Sequence, residues 1–492
     1  MRIVLIGLAL LPLAALLTTP ATAEPALTLV FTDRSGAPAT RAEAILFNTD
    51  TGAVERVTSD NGTATVPAGR YAAFAKIHTG DAEASLLAWP RLAGVTTAAF
   101  DAREARPIDV RVPERSATVA AAVVNAILTY QLDGETRVVG DAISHLDAEH
   151  LSTAHLGPAT PGFHAGVKVD MAEPDVSTSP YLYSLYWQQD DRMFTGLRRH
   201  LTDRRGLTTN RASYAQLGGP AEAHTATIVG GDVAIGTSIS LPHTRTEYYS
   251  KGVEWTAQLC YGPGGDQEPF TCLTGQPGPS WNEGPFLPAA RLLERLGDRL
   301  RILPALVDQA GHPGLARTDL DGTLTLYRDG AVVGRAPLDQ PGFTGLPPEV
   351  ADYRLELTGT VATLLPGSRF RAAWTFASGY APIGEGRLPA PSVRLTPDLD
   401  PTNQAQANRP LTLPVQASAG VRTVTVAASF DGGATWHQLR LRPTAQGWTT
   451  TVTPPPDATD ISFRTTAADA DGNTVEQELT RAIRLREPAD QP

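Results

Sequence analysis

Short runs of alternating apolar and polar residues dominate this chain. Runs such as "ALTLVFTD" (Ala26–Asp33) and "RAEAILFN" (Arg41–Asn48) alternate with a period of two, which indicates half-buried strands. Turn residues separate the runs, and the 492 residues include 44 glycines and 40 prolines. This pattern predicts an all-β protein built from tandem β-sandwiches.

The middle of the chain, residues 114–390, is predicted to be a large central β domain. Its one predicted helix is "PAARLLERLG" (Pro288–Gly297), because Leu292, Leu293 and Leu296 would share a helical face. The predicted strands are Thr118–Leu132, Tyr181–Trp187, Ala223–Val229, Val253–Tyr261, Thr323–Arg328 and Tyr353–Val361.

The N-terminal residues indicate export. Arg2 precedes an apolar run, Ile3–Leu17, and Ala21-Thr22-Ala23 has the small residues of a signal-peptidase site. We therefore expect residues 1–23 to be a signal peptide and the exported chain to begin near Glu24, secreted and without a membrane span. The remaining chain divides into expected modules at residues 24–113, 114–390 and 391–492.

Turn motifs distinguish the first module. They lie at Asp33–Pro38, Thr51–Gly52, Asp60–Ala64 and Pro67–Tyr71, and together they resemble the transthyretin-like module of carboxypeptidase regulatory domains. The resemblance implies a small β-sandwich and no chemistry.

The last module has the alternating strands of an immunoglobulin-like or fibronectin type III-like sandwich. Its segment "SFDGGATW" (Ser429–Trp436) resembles the Asp-box of sialidases, which is a hairpin turn. Because the box occurs once, it predicts a hairpin and argues against a propeller.

Charge and cysteine content narrow the possible partners and the compartment. The formal net charge is −11, from 41 basic and 52 acidic residues, which argues against a nucleic-acid partner. Cys260 and Cys272 are the only cysteines. In an oxidising compartment such a close pair usually forms a disulfide, although two buried thiols on neighbouring strands remain the alternative.

The octapeptide "GTSISLPH" (Gly236–His243) matches the segment that carries the nucleophilic serine of subtilisin-like peptidases. A serine nucleophile needs a histidine base that is held by an aspartate. The chain's Asp50-Thr51-Gly52 matches the aspartate motif of that family but falls in a predicted hairpin, and no His-Gly-x-His motif occurs. We therefore expect Ser238 to be structural, on a turn into a strand, and we assign no catalytic residue.

A wider resemblance covers most of the chain. The segments "LPHTRTEYYSKGVEW", "DQAGHPG", "LTLYRDGAVVG", "ADYRLEL" and "DADGNTV" resemble, in this order, the non-catalytic region that follows the peptidase domain of large secreted actinobacterial subtilisin-like peptidases. The peptidase domain itself is absent. The resemblance implies a non-catalytic protein that binds a protein or envelope partner, or organises an envelope assembly. A serine peptidase-related hydrolase remains the alternative.

Two further patterns concern ligands. His145, His150 and His155 are five residues apart, a spacing that matches no recognised zinc site, so we expect no metal and no cofactor.

Tyr181, Tyr183 and Trp187 share one face of a predicted strand. They would either stack on sugar rings, which would make this a glycan-binding protein, or belong to the core.

Overall fold

The computed structural model describes residues 26–59, 61–144, 149–217, 221–229, 236–261, 271–314, 320–361, 367–382 and 384–486. The predicted signal peptide, residues 1–23, lies outside these ranges. Within them the chain is all-β, as predicted: several sheets stack as tandem sandwiches, and the helical structure is the 3₁₀ turn Val176–Thr178. No helix in the described ranges is long and apolar enough to cross a membrane.

The strands are numbered in chain order. Residues 26–172 form β1 (Ala26–Thr32), β2 (Ala42–Asn48), β3 (Val54–Thr58), β4 (Thr63–Pro67), β5 (Tyr71–Thr79), β6 (Glu83–Leu92), β7 (Thr97–Asp101), β8 (Arg106–Arg111), β9 (Thr118–Leu132), β10 (Glu135–Ser144), β11 (His150–His155) and β12 (Phe163–Ala172). Residues 181–307 form β13 (Tyr181–Asp190), β14 (Leu197–His200), β15 (Leu207–Tyr214), β16 (Glu222–Val229), β17 (Thr237–Ser240), β18 (His243–Ser250), β19 (Trp255–Tyr261), β20 (Thr271–Gly275), β21 (Ser280–Trp281), β22 (Leu287–Leu296) and β23 (Arg299–Val307). Residues 313–486 form β24 (Pro313–Gly314), β25 (Leu320–Arg328), β26 (Ala331–Pro337), β27 (Gly342–Phe343), β28 (Ala351–Val361), β29 (Arg369–Ser378), β30 (Val393–Leu395), β31 (Gln404–Gln406), β32 (Leu411–Ala417), β33 (Val421–Ser429), β34 (His437–Leu439), β35 (Arg442–Thr444), β36 (Gly447–Val452), β37 (Asp460–Asp469) and β38 (Thr474–Arg486).

The chain divides into two compact units. Unit 1 combines residues 1–109, 124–166 and 188–199, and unit 2 combines residues 110–123, 167–187 and 200–492. Each unit is therefore assembled from three separate segments. The six strands predicted in the central block all form, within a few residues of their predicted ends.

Two sheets of unit 1 share one apolar core. The smaller sheet has the strand order β4-β1-β7, and the larger has the order β14-β8-β11-β6-β5-β2-β3. Phe31 and Phe100 of the small sheet stack with their ring centroids 5.7 Å apart, and they pack in one core with Leu46 and Ile77 of the large sheet. The alternation read from the sequence thus places every second side chain of β1 in this core.

The large sheet of unit 1 recruits a strand from far along the chain. Strand β11 lies between β6 and β8, parallel to β6 and antiparallel to β8. Residues 150–155 therefore complete the sheet between β6 and β8. Strand β8 ends at Arg111, so the chain segment that separates it from β11 is much longer than a usual loop.

Unit 2 contains the sheet with the order β26-β25-β28-β29-β38-β37-β33-β34. Its long strand β38 pairs with β29 on one side and with β37 on the other. Strands on both sides of residue 390 therefore belong to one sheet, and the large apolar cluster of unit 2 draws residues from Ala212 to Ile483.

Gln477, on β38, connects this strand to β22, β30 and β37 through its buried amide. Its Oε1 accepts hydrogen bonds from the Val393 N–H at 2.8 Å and from the Thr465 hydroxyl at 3.2 Å. Its Nε2 donates to the carbonyls of Pro288 at 2.6 Å and Val393 at 3.3 Å. These contacts use the full hydrogen-bonding capacity of an amide, as burial requires.

The helix predicted over Pro288–Gly297 is wrong. This segment forms strand β22, which pairs antiparallel with β23 and carries a bulge between Ala290 and Leu292. The bulge shifts the alternation by one residue, so that Leu293 and Arg295 both point inward. Leu292 and Leu296 are half-buried on the opposite face of the strand, so leucines on both faces of a strand imitated helical spacing, and pairing with β23 outweighed helix propensity.

A buried ion pair lies on β18 of unit 2. Arg245 Nε donates to Glu247 at 2.9 Å, and both side chains are 1% exposed. The Glu247 carboxylate also accepts hydrogen bonds from Tyr214 at 2.5 Å and Tyr249 at 2.7 Å. Burial, reinforced by this carboxylate, raises the pKa of both tyrosines, so they remain neutral donors.

The Asp-box segment forms the predicted hairpin turn. Asp431 accepts hydrogen bonds from the Ser429 hydroxyl at 2.6 Å and from the Thr435 N–H at 2.9 Å. Gly432 and Gly433 have φ values of 69° and 93°, which a side chain would strain. The guanidinium of Arg464 lies 4.3 Å above the Trp436 ring, so the box is built as a structural turn.

The predicted disulfide is confirmed. Cys260 on β19 lies opposite Cys272 on β20, with their Cα atoms 4.0 Å apart, and the two sulfurs are bonded. The alternative of two buried thiols is therefore excluded.

We predict that removing this crosslink destabilises unit 2. The bond closes a short loop, so the double variant Cys260→Ser/Cys272→Ser should lose about 3 kcal/mol of unfolding free energy. The measurement is urea denaturation followed by tryptophan fluorescence. Alkylation of the unreduced folded wild type should leave its intact mass unchanged; a modified cysteine there would contradict the assignment.

We predict a larger loss for Gln477→Leu. Leucine has a similar size but leaves the Val393 N–H and the Pro288 carbonyl buried without this partner, so the variant should lose at least about 3 kcal/mol. The matched control is Gln446→Leu at an exposed turn position, which should change stability by less than about 0.5 kcal/mol. Equal denaturation midpoints for the two variants would refute the role of the amide.

Candidate functional site

A cavity of about 450 Å³ opens at one end of the large sheet of unit 1. Its base is formed where three antiparallel strands meet: Asn48 ends β2 opposite Tyr71, which begins β5, and Tyr71 lies opposite Leu92 at the end of β6. Residues 128–131 of β9 and residues 160–161 supply the other wall. We call this cavity the strand-end pocket.

The turn between β2 and β3 gives the pocket a fixed rim. The Asn48 side chain accepts hydrogen bonds from the N–H groups of Asp50 and Thr51, at 3.0 and 3.1 Å. The Gly52 N–H closes the turn on the Asn48 carbonyl at 2.8 Å, with a Gly52 φ of 75° that favours glycine. The Thr49 N–H bonds to the Arg70 carbonyl at 2.9 Å, so the rim is held against the start of β5.

Asp50 and Arg70 form an ion pair on this rim. Arg70 Nε lies 2.9 Å from each carboxylate oxygen of Asp50, and Nη2 donates to the same carboxylate. The hydrogen bonds from Arg70 lower the pKa of Asp50, so the carboxylate stays charged. This pair orients the Arg70 guanidinium at the mouth of the pocket.

The floor of the pocket is largely apolar. Pro90, Leu92 and Leu128 are buried and line it. The Tyr71 ring is also buried there, and its hydroxyl is occupied by a 2.8 Å hydrogen bond to the Pro67 carbonyl. The ring therefore contributes a face rather than a polar group.

The outer walls carry polar groups that remain accessible. Tyr130 is half-buried, and Gln131 is exposed and bonds Thr136 of β10 at 2.8 Å. Arg91 is exposed at the end of β6 and forms no ion pair within the described residues. The pocket thus combines two guanidinium groups, one carboxylate and an apolar floor, an arrangement suited to binding a small polar ligand.

None of these side chains was predicted from the sequence to belong to a functional site. Asp50 was noted only within its Asp-Thr-Gly match, and the structure shows it in the hairpin turn of unit 1, paired with Arg70. Ser238 belongs to unit 2. The weak signal that was present is an Arg or Tyr near a strand end, at Arg70–Tyr71, Arg91 and Tyr130, which becomes informative only once the strand register is known.

Ser238 lies on strand β17, as expected for a structural residue. Its side chain is exposed, and the antiparallel register places it directly opposite His224 of β16. His243, five residues on, instead contacts the Ser179 carbonyl through Nε2 at 2.8 Å.

The strand setting of Ser238 differs from that of a peptidase nucleophile. In subtilisin-like enzymes the serine segment opens a long helix, whereas here β17 is followed directly by β18. The described chain is all-β and thus unlike a peptidase catalytic domain. The proximity of His224 was not predicted, because this histidine lies in no motif.

The aromatic residues Tyr181, Tyr183 and Trp187 do not form an exposed row. Tyr181 and Tyr183 are buried, at 8% and 0% exposure, and Trp187 is half-buried. The Tyr183 ring stacks on Tyr248 with centroids 4.5 Å apart. The face that these tyrosines share is therefore core, which was the alternative to sugar stacking.

Polar neighbours complete the environment of Tyr183. Its hydroxyl donates to Glu114 and accepts a 2.8 Å hydrogen bond from Arg204 Nε. Arg204 also pairs with Glu114 and lies 4.8 Å above the Tyr248 ring. Burial raises the pKa of Tyr183, with smaller contributions from Tyr248 and Tyr181. The hydroxyl group of Tyr183 is thus occupied by partners within the protein.

The histidines considered as metal ligands are not gathered. His145 lies outside the described residues. His155 accepts a hydrogen bond from the Met193 N–H at 3.0 Å and contacts the Pro158 carbonyl at 3.0 Å, so both ring nitrogens are engaged. Over the described ranges, no three His, Cys, Asp or Glu side chains are grouped as a metal site would require.

Comparisons with known proteins add little to this description. No family model matches the chain, and no curated protein matches it. Among solved structures, the chain is similar to the eight N-terminal immunoglobulin domains of Down syndrome cell adhesion molecule, with 11% identity, a TM-score of 0.15, and 95% of this chain and 74% of that chain covered. It is also similar to Escherichia coli alpha-2-macroglobulin in its native conformation, with 10% identity, a TM-score of 0.15, and 92% and 38% of the two chains covered.

We predict that Ser238 is not a nucleophile. A fluorophosphonate probe should not label the folded chain, and Ser238→Ala and His224→Ala should leave peptide cleavage at the level of a blank. An active subtilisin serves as the positive control for the probe. Labelling that disappears in both variants would contradict the structural role and establish a Ser–His pair across β16 and β17.

Proposed function

We propose that this chain is an exported, non-catalytic binding protein, and that the strand-end pocket of unit 1 holds its ligand. The observation that carries the proposal is the pocket itself: its volume of about 450 Å³ falls within the usual range for small-ligand sites. Its rim is fixed by hydrogen bonds before any ligand arrives, which reduces the entropy lost on binding.

Three features support the exported and non-catalytic parts of the proposal. The N-terminal residues have the pattern of a signal peptide. The Cys260–Cys272 disulfide is typical of proteins from oxidising compartments. The segments shared with the region that follows the peptidase domain of secreted subtilisin-like peptidases favour an accessory role, with a component of the cell envelope as the partner.

One observation favours a second candidate function. The register that places His224 opposite Ser238 gives a serine hydrolase two of its three groups. Fluorophosphonate labelling distinguishes this candidate from a binding protein.

The binding function is tested by filling the pocket. Ala93 is exposed and lines the pocket, so Ala93→Trp should occupy the cavity without removing a charged group. Ala99→Trp, at an exposed position of β7 outside the pocket, is the matched control. The exported chain is mixed with cell envelopes of the organism that encodes it, and the bound fraction is measured by cosedimentation.

We expect wild type and Ala99→Trp to sediment with the envelopes and Ala93→Trp to bind at least about tenfold more weakly, a difference of about 1.4 kcal/mol. Melting temperatures that agree for the three proteins would show that folding is unaffected. Equal sedimentation of all three proteins, or of none, would overturn the proposal that the pocket binds the partner.

A further inference from the structure

We propose that the strand-end pocket recognises an acidic saccharide, a chain containing uronic acid. This inference rests on the proposed function, since it names the ligand class for the same pocket. It is carried by the distribution of charge, of polar groups and of apolar surface in the pocket.

The charge around the pocket favours an anion. Two guanidinium groups, Arg70 and Arg91, face one carboxylate, Asp50, although the whole chain has a formal net charge of −11. Asp50 occupies Nε and Nη2 of Arg70, whereas Arg91 has no ion pair among the described residues. Arg91 is therefore the cation left for a ligand carboxylate, which a guanidinium binds through two parallel hydrogen bonds.

The same arrangement selects against a ligand with several negative charges. The Asp50 carboxylate repels a second anionic group near the rim. Its oxygens accept hydrogen bonds from hydroxyl groups, and Thr49 and Gln131 add neutral polar groups nearby. A ligand with one carboxylate and several hydroxyls matches this rim, whereas an acidic peptide would present carboxylates where hydroxyls are needed.

The floor of the pocket matches a ring. Leu92, Leu128 and the Tyr71 ring form an apolar surface below the polar rim, and Tyr130 adds a half-buried aromatic side chain on the wall. Sugar rings present C–H faces to aromatic and apolar surfaces while their hydroxyl groups point outward. An apolar floor, a hydroxyl-binding rim and one available guanidinium together define a uronic acid unit.

Binding is tested on the full exported chain with four soluble probes. They are cellobiouronate, a disaccharide with a single carboxylate, its neutral counterpart cellobiose, triglutamate as an acidic peptide, and acetate as a bare carboxylate. Isothermal titration calorimetry gives each affinity. Arg91→Gln removes the available cation, and Arg56→Gln, at an exposed position of β3 that does not line the pocket, is the matched control.

We expect cellobiouronate to bind most tightly, and Arg91→Gln to weaken its binding at least about tenfold, the scale of a charge-assisted contact. Arg56→Gln should leave the affinity within about twofold. Raising the salt concentration should weaken cellobiouronate binding to the wild type and have little effect on its binding to Arg91→Gln.

Each other outcome overturns a defined part of the proposal, either the ligand class or the binding function of the pocket. Equal binding of cellobiose, unaffected by Arg91→Gln, would refute the acidic class and leave the pocket as a binding site. Tighter binding of triglutamate would make the ligand an acidic peptide, and binding of acetate with equal affinity would reduce the site to a carboxylate site. If no probe binds but Ala93→Trp still abolishes envelope binding, the saccharide inference fails and the proposed function stands; if Ala93→Trp has no effect, both fail.

Discussion

The four hydrogen bonds of the Gln477 amide connect strands of unit 2 that are far apart in sequence. Because the regular secondary structure of the described residues is almost all β-strand, many of their backbone groups are satisfied by segments that are distant in sequence, so stability depends on where those segments meet. Gln477 sits at such a meeting point, on the long strand β38, where the Pro288 and Val393 carbonyls would otherwise be buried without this donor. Separation of β22 or β30 from β38 would therefore leave buried polar groups without partners, a cost that a purely apolar contact does not carry.

The sequence predicts the strands of this protein well because their signal is local. Alternation with a period of two is sufficient for β1, and it survives in the six predicted strands of the central block. The failure at Pro288–Gly297 has an equally local cause: leucines occupy both faces of β22, so Leu292, Leu293 and Leu296 fall at a spacing that a helix would also give. A local pattern cannot predict the pairing of β29 with β38, because this pairing depends on which strands meet in three dimensions.

The strand-end pocket shows the same limit for function. Its polar groups come from strand ends and turns in several segments, and each of them, taken alone, looks like an ordinary turn or rim residue. Ser238 shows the converse, because its familiar motif folds into strand β17, where Ser238 is exposed but Thr237 and Ile239 are buried. Tyr183 follows a third course: alternation assigned it correctly to one face, but burial of that face depends on Tyr248 and Arg204, which no spacing rule connects to it.

Strand β11 determines whether the first sandwich can be produced as a separate fragment. A fragment cut at residue 113, where the turn motifs place a module boundary, would lack residues 150–155 and leave β6 and β8 with vacant partners on their facing sides. Such exposed strand edges pair with one another between molecules, so the fragment would tend to aggregate. During synthesis the same vacancy persists until residue 155 has emerged from the ribosome, and β14 follows only at residues 197–200. Unit 1 is thus completed late, because β11 and β14 are synthesised after the first residues of unit 2.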